Sequence, residues 1–184
     1  MHIAFYGSVR QIGTSANMSA VAAGITQYLQ LPVSYENMKT DARLKETMRF
    51  TDCSRSVCAE QVMKSCDLLV INLSYSFQEL AHVYLRHSLV RKNVVFLIGK
   101  YIPNNSNQLK QLAKQYRISE NRICMIPYNP RFSKAYENHR VFDYLNCSSI
   151  GAASYEDFDF CINLNHVINT MITYVNRKGD NYHG

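Results

Sequence analysis

The sequence predicts an α/β protein built as three layers, a mostly parallel sheet with helices on both faces. Three observations carry this expectation. Short continuous apolar runs, of which Leu68-Leu69-Val70-Ile71-Asn72-Leu73 is the clearest, have the composition of strands buried on both sides. These runs alternate with segments of helical periodicity, the pattern of βα units. Breakers such as Pro32, Gly99, Pro103 and Pro127 fall between the segments.

Taken in order, residues 2–7 form a short buried strand, and residues 16–29 a helix rich in Ala, Met, Val and Ile at helical spacing. Pro32 interrupts that helix, and residues 31–35 are a second strand. Residues 36–55 are polar and poorly periodic, which predicts a connection with one short helical turn or more. A helix over 56–65 turns Val57, Val62 and Met63 inward and leads through Asp67 into the strand 68–73. Residues 76–88 form a helix with Phe77, Leu80, Ala81, Tyr84 and Leu85 on one side, and Ser76 and Glu79 have capping-box spacing. The strand 94–98 ends at Gly99, and a helix follows over 108–116. The strand 122–126 is ended by Pro127, and a short helix spans 132–139. The last helix, 155–176, carries the stripe Phe158, Cys161, Ile162, Leu164, Val167, Ile168, Met171, Ile172 and Val175, the spacing of a core face. Asp157 and Asp159, two apart on that helix, face different directions and read as solvent groups. Residues 1–176 thus form a single domain, and residues 177–184 a flexible tail.

At 184 residues and 47% hydrophobic, the chain is long enough to bury a sizeable core. Its formal charge of +6 permits an acidic partner without requiring one. Lys and Arg are dispersed and the thirteen tyrosines are scattered, several on apolar helical faces, so direct nucleic-acid or membrane binding is not expected. The six cysteines contain no C-x-x-C pair, and His82 and His87 do not share a helical face; no zinc site is expected. Cys124 and Cys161 read as reduced core thiols. The first strand runs directly into a glycine loop, and no apolar run approaches the ~20 residues that span a bilayer, which predicts a cytoplasmic protein. No G-x-S-x-G elbow is present.

The segment between the first strand and the first helix, Tyr6-Gly7-Ser8-Val9-Arg10-Gln11-Ile12-Gly13-Thr14-Ser15-Ala16-Asn17, has the layout of a phosphate-binding loop. Such a loop cradles phosphate with backbone N–H groups at a helix N-terminus, reaches the outer phosphates with a lysine and holds Mg²⁺ with a hydroxyl. Here the helix start and the Ser15 hydroxyl remain, but Thr14 occupies the lysine position. In a parallel sheet this loop, residues 72–76, residues 99–104 and residues 127–131 share the carboxyl edge, where ligands bind.

Together with Asp67 to Leu73 and Ile126-Pro127-Tyr128-Asn129, this loop resembles the ParA/MinD family of deviant-Walker P-loop ATPases, and implies a P-loop NTPase-like fold. More narrowly it is similar to lysine-less ParA-like proteins, including localisation factors of Tad-type pilus assembly. On that resemblance Arg10, Gln11, Ile12, Gly13, Thr14, Ser15 and Ala16 would surround the phosphates of ATP or ADP, with Pro127 and Tyr128 lining the adenine pocket. Ser15 and Asn72 would hold Mg²⁺, Asn72 standing where the family has an aspartate. Val9 stands at the signature lysine that reaches across a dimer. Losing two lysines where phosphoryl transfer builds negative charge implies weak or absent hydrolysis, although Arg10 lies beside the signature position. Glu36 and Asp41 are the acidic residues nearest the place where the family positions its attacking water. No catalytic residue is assigned. The resemblance further implies a homodimer through the loop edge, a protein partner, and a role in positioning, partitioning or assembling a cellular machine. Two alternatives stay open: a flavodoxin-like protein holding FMN with Gly13 to Asn17, and an interaction scaffold that binds no ligand.

Overall fold

The computed structural model describes residues 1–7, 12–35, 48–73, 93–101, 111, 113–115, 117–149 and 154–180. Among them, six parallel strands form one sheet: β1 (His2–Gly7), β2 (Val33–Tyr35), β3 (Met48–Asp52), β4 (Leu68–Leu73), β5 (Val94–Tyr101) and β6 (Ile123–Pro127). Their order is β2-β3-β1-β4-β5-β6, and every neighbouring pair is parallel. The helices α1 (Thr14–Leu29), α2 (Ala59–Ser65), α3 (Pro130–Glu137), α4 (Val141–Ser149) and α5 (Tyr155–Asp180) complete the described elements.

Alternation along the strands divides the core between the two faces. Ile3, Phe5, Phe50, Val70 and Leu97 point to one face, where they meet Val21 and Ile25 of α1, Phe132 of α3, Leu145 of α4, and Phe160 and Leu164 of α5. Ala4, Leu69, Ile71, Leu73 and Phe96 point to the other, against Met63 and Cys66 at α2 and Ile118. Both faces are therefore covered, the arrangement that forces continuous apolar strands. At the start of the sheet, Asp67 accepts from the His2 backbone N–H at 2.9 Å and its own N–H donates to the His2 carbonyl at 2.8 Å, which fixes the β1/β4 register.

The structure departs from the sequence expectation in six places. Within the polar stretch 36–55, residues 48–52 form β3, a strand hydrogen-bonded on both edges; Met48, Phe50 and Thr51 are buried while Arg49 is exposed. Val57 lies outside the helix expected at 56–65 and is fully exposed, whereas Met63 is buried. The helix α4 was absent from the sequence reading. On α5, Cys161, Leu164, Val167, Ile168 and Met171 are buried as expected, but Phe158 and Ile162 are more than half exposed: the apolar stripe is wider than the face that α5 packs. Asp157, read as a solvent group, is fully buried. The helix itself continues through Asp180, past the boundary expected for a flexible tail. The expected helix 76–88 and most of 108–116 lie outside the described residues.

The strand order also bears on the FMN alternative. A flavodoxin-like sheet runs 2-1-3-4-5. Here β3 is inserted between β2 and β1, so the first strand pairs with the third and fourth. The chain leaves β1 toward the β2 edge, returns through β3 and then crosses to β4, which makes the carboxyl end of β1 the reversal point where a ligand crevice forms.

Candidate functional site

Three residues prepare the start of α1 at that reversal point. Gly13, the residue before the helix, has φ 87°, a left-handed conformation that a residue with a Cβ adopts only with strain. Among the described residues no side chain caps α1, and no acidic residue lies in its first turn, so the positive end of its dipole faces the sheet edge. Thr14 is buried, and its hydroxyl sits so close to Gly7 that a Cβ there would collide with it. The side chain at the lysine position thus packs against Gly7 at the end of β1. Ile12 is buried, Gly13 and Ala16 are half-buried and Ser15 is exposed; Arg10 and Gln11, with Ser8 and Val9, lie outside the described residues.

On one side of β1, the Ser15 hydroxyl donates to the Asp52 carboxylate at 2.6 Å, joining the first turn of α1 to the end of β3. The other carboxylate oxygen accepts from the Ser54 hydroxyl at 2.6 Å and the Ser54 backbone N–H at 3.0 Å. Ser54 in turn accepts from the Gly7 N–H at 2.8 Å. This places a serine hydroxyl and a carboxylate, both hard oxygen donors, next to one another at the mouth of the crevice. That is the donor chemistry that suits Mg²⁺.

On the other side of β1, Asn72 lies beside Gly7 and is fully buried. Its side-chain oxygen accepts from Asn17 at 2.9 Å, tying α1 to β4. Asn72, expected with Ser15 to hold Mg²⁺, makes this contact within the protein. Its oxygen serves a buried bond inside the protein, and the carboxylate nearest Ser15 comes from β3 instead.

Farther along the edge, Gly13, Asn17, Lys100, Tyr128 and Asn129 contribute to a cavity of about 40 Å³. It is one corner of a site rather than an enclosure for a whole ligand. Pro127 and Tyr128, both expected here, line it, with Pro127 buried and Tyr128 about half exposed. The wall is held by a buried polar knot. Asn129 caps α3 by accepting from the Phe132 N–H at 2.8 Å, and donates to Asp157 at 3.0 Å. Asp157 also accepts from the Tyr144 hydroxyl at 3.0 Å, from Ser154, and from Arg131, with which it forms an ion pair. Burial alone would raise the Asp157 carboxyl, but the hydrogen bonds from Asn129, Tyr144 and Ser154 outweigh it and hold the group below the usual carboxylate range. Burial and the neighbouring Asp157 charge push the Tyr144 phenol up, so it remains a donor at neutral pH.

Asp52, Lys100, Asn129 and Asp157 are the site residues that sequence reasoning passed over. Asp52 carried a usable signal: it ends the run Met48-Arg49-Phe50-Thr51-Asp52, whose alternation is that of a short strand. Among the described residues, no group of three or more His, Cys, Asp and Glu is placed to hold a metal ion. Cys53, Cys66, Cys124 and Cys161 are buried and Cys58 and Cys147 exposed; burial pushes the Cys124 thiol up to about 11, which keeps it protonated and inert. No described helix is long and apolar enough to cross a membrane.

No protein-family model matches the sequence, and no curated protein matches it. Among solved structures, the chain is similar to the MinD cell division protein of Aquifex aeolicus, with a TM-score of 0.59 and 8% identity over 91% of this chain and 97% of that one. At that identity the likeness shows the fold alone: an α/β, P-loop NTPase-like architecture of the MinD/ParA kind.

Proposed function

We propose that this chain binds a Mg²⁺-nucleotide, ATP or ADP, at the carboxyl edge of β1 and turns it over weakly or not at all. The observation that carries this reading is the Ser15–Asp52 hydrogen bond, which joins the phosphate-facing helix start to a strand-end carboxylate. Ser15 and Asp52 would hold the Mg²⁺, whose charge offsets that of the outer phosphates. The α1 N–H groups from Gly13 onward, with Arg10 and Gln11, would cradle the phosphates. Pro127 and Tyr128 would border the base. Thr14 gives no charge to a transferring phosphoryl group, so binding outlasts catalysis in this site. The MinD-like fold supports a face-to-face homodimer through the loop edge and a role in positioning or assembling a cellular machine, such as a pilus or a partitioning apparatus, with a protein partner.

Thermal denaturation with ATP, ADP and FMN, each with and without Mg²⁺, tests the reading. A ligand at a hundred times its Kd stabilises the native state by about 2.7 kcal/mol. ATP or ADP is expected to raise the midpoint, more so with Mg²⁺, and FMN to leave it unchanged. No shift with millimolar nucleotide would defeat the proposal, and so would ATP hydrolysis at the rates of intact P-loop ATPases that is lost in Ser15→Ala.

A further inference from the structure

We infer that Ser54, just beyond the end of β3, is a positioning residue: it limits the Asp52 carboxylate to one oxygen for a cation, and so makes the site prefer Mg²⁺ to Ca²⁺. The inference rests on the Mg²⁺-nucleotide reading above and adds to it a residue that acts through Asp52 rather than on the ligand.

Ser54 meets Asp52 twice. Its hydroxyl donates to Oδ1 at 2.6 Å, and its backbone N–H donates to the same oxygen at 3.0 Å. A carboxylate oxygen accepts about two hydrogen bonds, so Ser54 by itself fills the capacity of Oδ1. Among the described residues Oδ2 accepts one, from the Ser15 hydroxyl at 2.6 Å. The two oxygens are therefore unequal: Oδ1 is turned to the chain that follows β3, and Oδ2 to the first turn of α1.

The path of that chain explains why Ser54 is held there. Cys53 carries the pairing with β1 past the strand end, its N–H donating to the Phe5 carbonyl at 2.9 Å. The chain then turns, and Asp52 accepts from the Ser54 N–H, the bond of an Asx-turn. From β1 the Gly7 N–H donates to the Ser54 hydroxyl at 2.8 Å, which leaves the hydroxyl proton directed at Asp52. Turning the carboxylate out of this plane breaks both Ser54 bonds.

Coordination chemistry gives the consequence for an ion. Ca²⁺ takes many oxygen ligands in a flexible geometry and readily accepts both oxygens of one carboxylate. Mg²⁺ is smaller, demands a near-octahedral shell and is bound through fewer protein oxygens. A carboxylate with Oδ1 already engaged offers Oδ2, beside the Ser15 hydroxyl, and denies Ca²⁺ the two-oxygen grip.

The test titrates ATP calorimetrically into the purified full chain, Ser54→Ala and Ser54→Thr, each in Mg²⁺, in Ca²⁺ and in excess EDTA. The parent is expected to bind ATP more tightly with Mg²⁺ than with Ca²⁺. Loss of the Ser54 hydroxyl should cut that preference about tenfold, the usual scale for a residue that orients a metal ligand. The affinity in EDTA should hold, and Ser54→Thr, which keeps the hydroxyl, should keep the preference. If Ser54→Ala does not fold, Ser54→Cys, whose thiol is a weak donor, carries the same comparison. A preference unchanged in the variant, an equal loss in all three media, or a parent indifferent to the choice of ion would overturn the inference while leaving ATP binding intact. A parent that binds no ATP defeats the nucleotide reading, and Mn²⁺ alone, followed by electron paramagnetic resonance, then decides the inference. Mn²⁺ displaced more readily by Mg²⁺ than by Ca²⁺ in the parent, but equally in Ser54→Ala, sustains it; equal displacement in the parent, or no bound Mn²⁺, overturns it.

Discussion

Asp52 ends β3 and Asn72 lies one residue before the end of β4, the two strands that flank β1, and both reach to the first turn of α1, yet their surroundings are opposite. Asn72 is fully buried and gives its oxygen to Asn17. Asp52 is only partly covered, and its partner is the exposed Ser15 hydroxyl. A neutral amide is the polar group that a dry sheet interior tolerates when it is paired. The Asp52 carboxylate at the rim accepts from the Ser15 and Ser54 hydroxyls and is a hard oxygen donor close to the surface. Asp157 belongs with Asn72: it is a charge in the interior, made tolerable by the donors of Asn129, Tyr144 and Ser154 and by Arg131. Among the described residues, the same sheet edge therefore contains buried ties that hold the fold and a more exposed pair, Ser15 and Asp52, at its rim.

This contrast separates substitutions that change stability from those that change ligand response. Asn72→Asp is expected to have the largest effect, since it leaves an uncompensated charge in the interior; urea unfolding at pH 7 should show a loss of about 3–5 kcal/mol. The deficit should shrink as pH is lowered, because burial favours the neutral acid. A stable variant with stronger Mg²⁺-dependent nucleotide binding would instead return the metal role to Asn72.

Asp157→Ala comes next, at about 3 kcal/mol, because it strands the donors of Asn129 and Tyr144. The folded carboxyl is held below its ordinary value, so its contribution is fully present above the unfolded value of about 3.9 and fades as pH falls through the folded one. Unfolding curves of parent and variant should consequently converge in that acid window. A gap that persists through it would remove the carboxylate from the explanation.

How far these differences were legible in the sequence follows from how local each signal is. The strands β1, β4 and β6 and the helix α1 declare themselves within a few residues, through apolar runs and helical spacing. Gly13 and Ser15 likewise stand in one short motif. By contrast β3 has a polar residue at three of its five positions, and it is a strand because β1 and β2 pair with it on both sides. Once β3 is missed, Asp52 reads as one more polar residue in a connection, and the search for a carboxylate moves to the most obvious strand and stops at Asn72. Asp157 was misread for a related reason: Asn129, Arg131 and Tyr144 reach it from other elements 13 to 28 residues away. Periodicity shows which face of α5 is apolar, but not how much of that face a neighbour covers, which is why Phe158 and Ile162 are exposed.

Smaller effects sharpen the open side of the comparison. Ser15→Ala should weaken Mg-ATP binding about tenfold, or ~1.4 kcal/mol, measured by calorimetry, with little change in unfolding midpoint. An unchanged affinity would show that the hydroxyl is a structural partner of Asp52 alone. Phe158→Ser, on the exposed margin of α5, should change stability by less than about 0.5 kcal/mol in urea unfolding. A larger loss would mean that this margin is covered in solution.

The central claim, that Asp52 and not Asn72 organises a metal-dependent nucleotide site, is tested most directly by titrating ATP into parent and Asp52→Asn protein with Mg²⁺ and with excess EDTA. The account predicts that Mg²⁺ strengthens binding to the parent and that Asp52→Asn abolishes this strengthening, while the variant keeps the parent's fold and its Mg²⁺-independent affinity. A variant whose ATP affinity still responds to Mg²⁺ as the parent's does would contradict it.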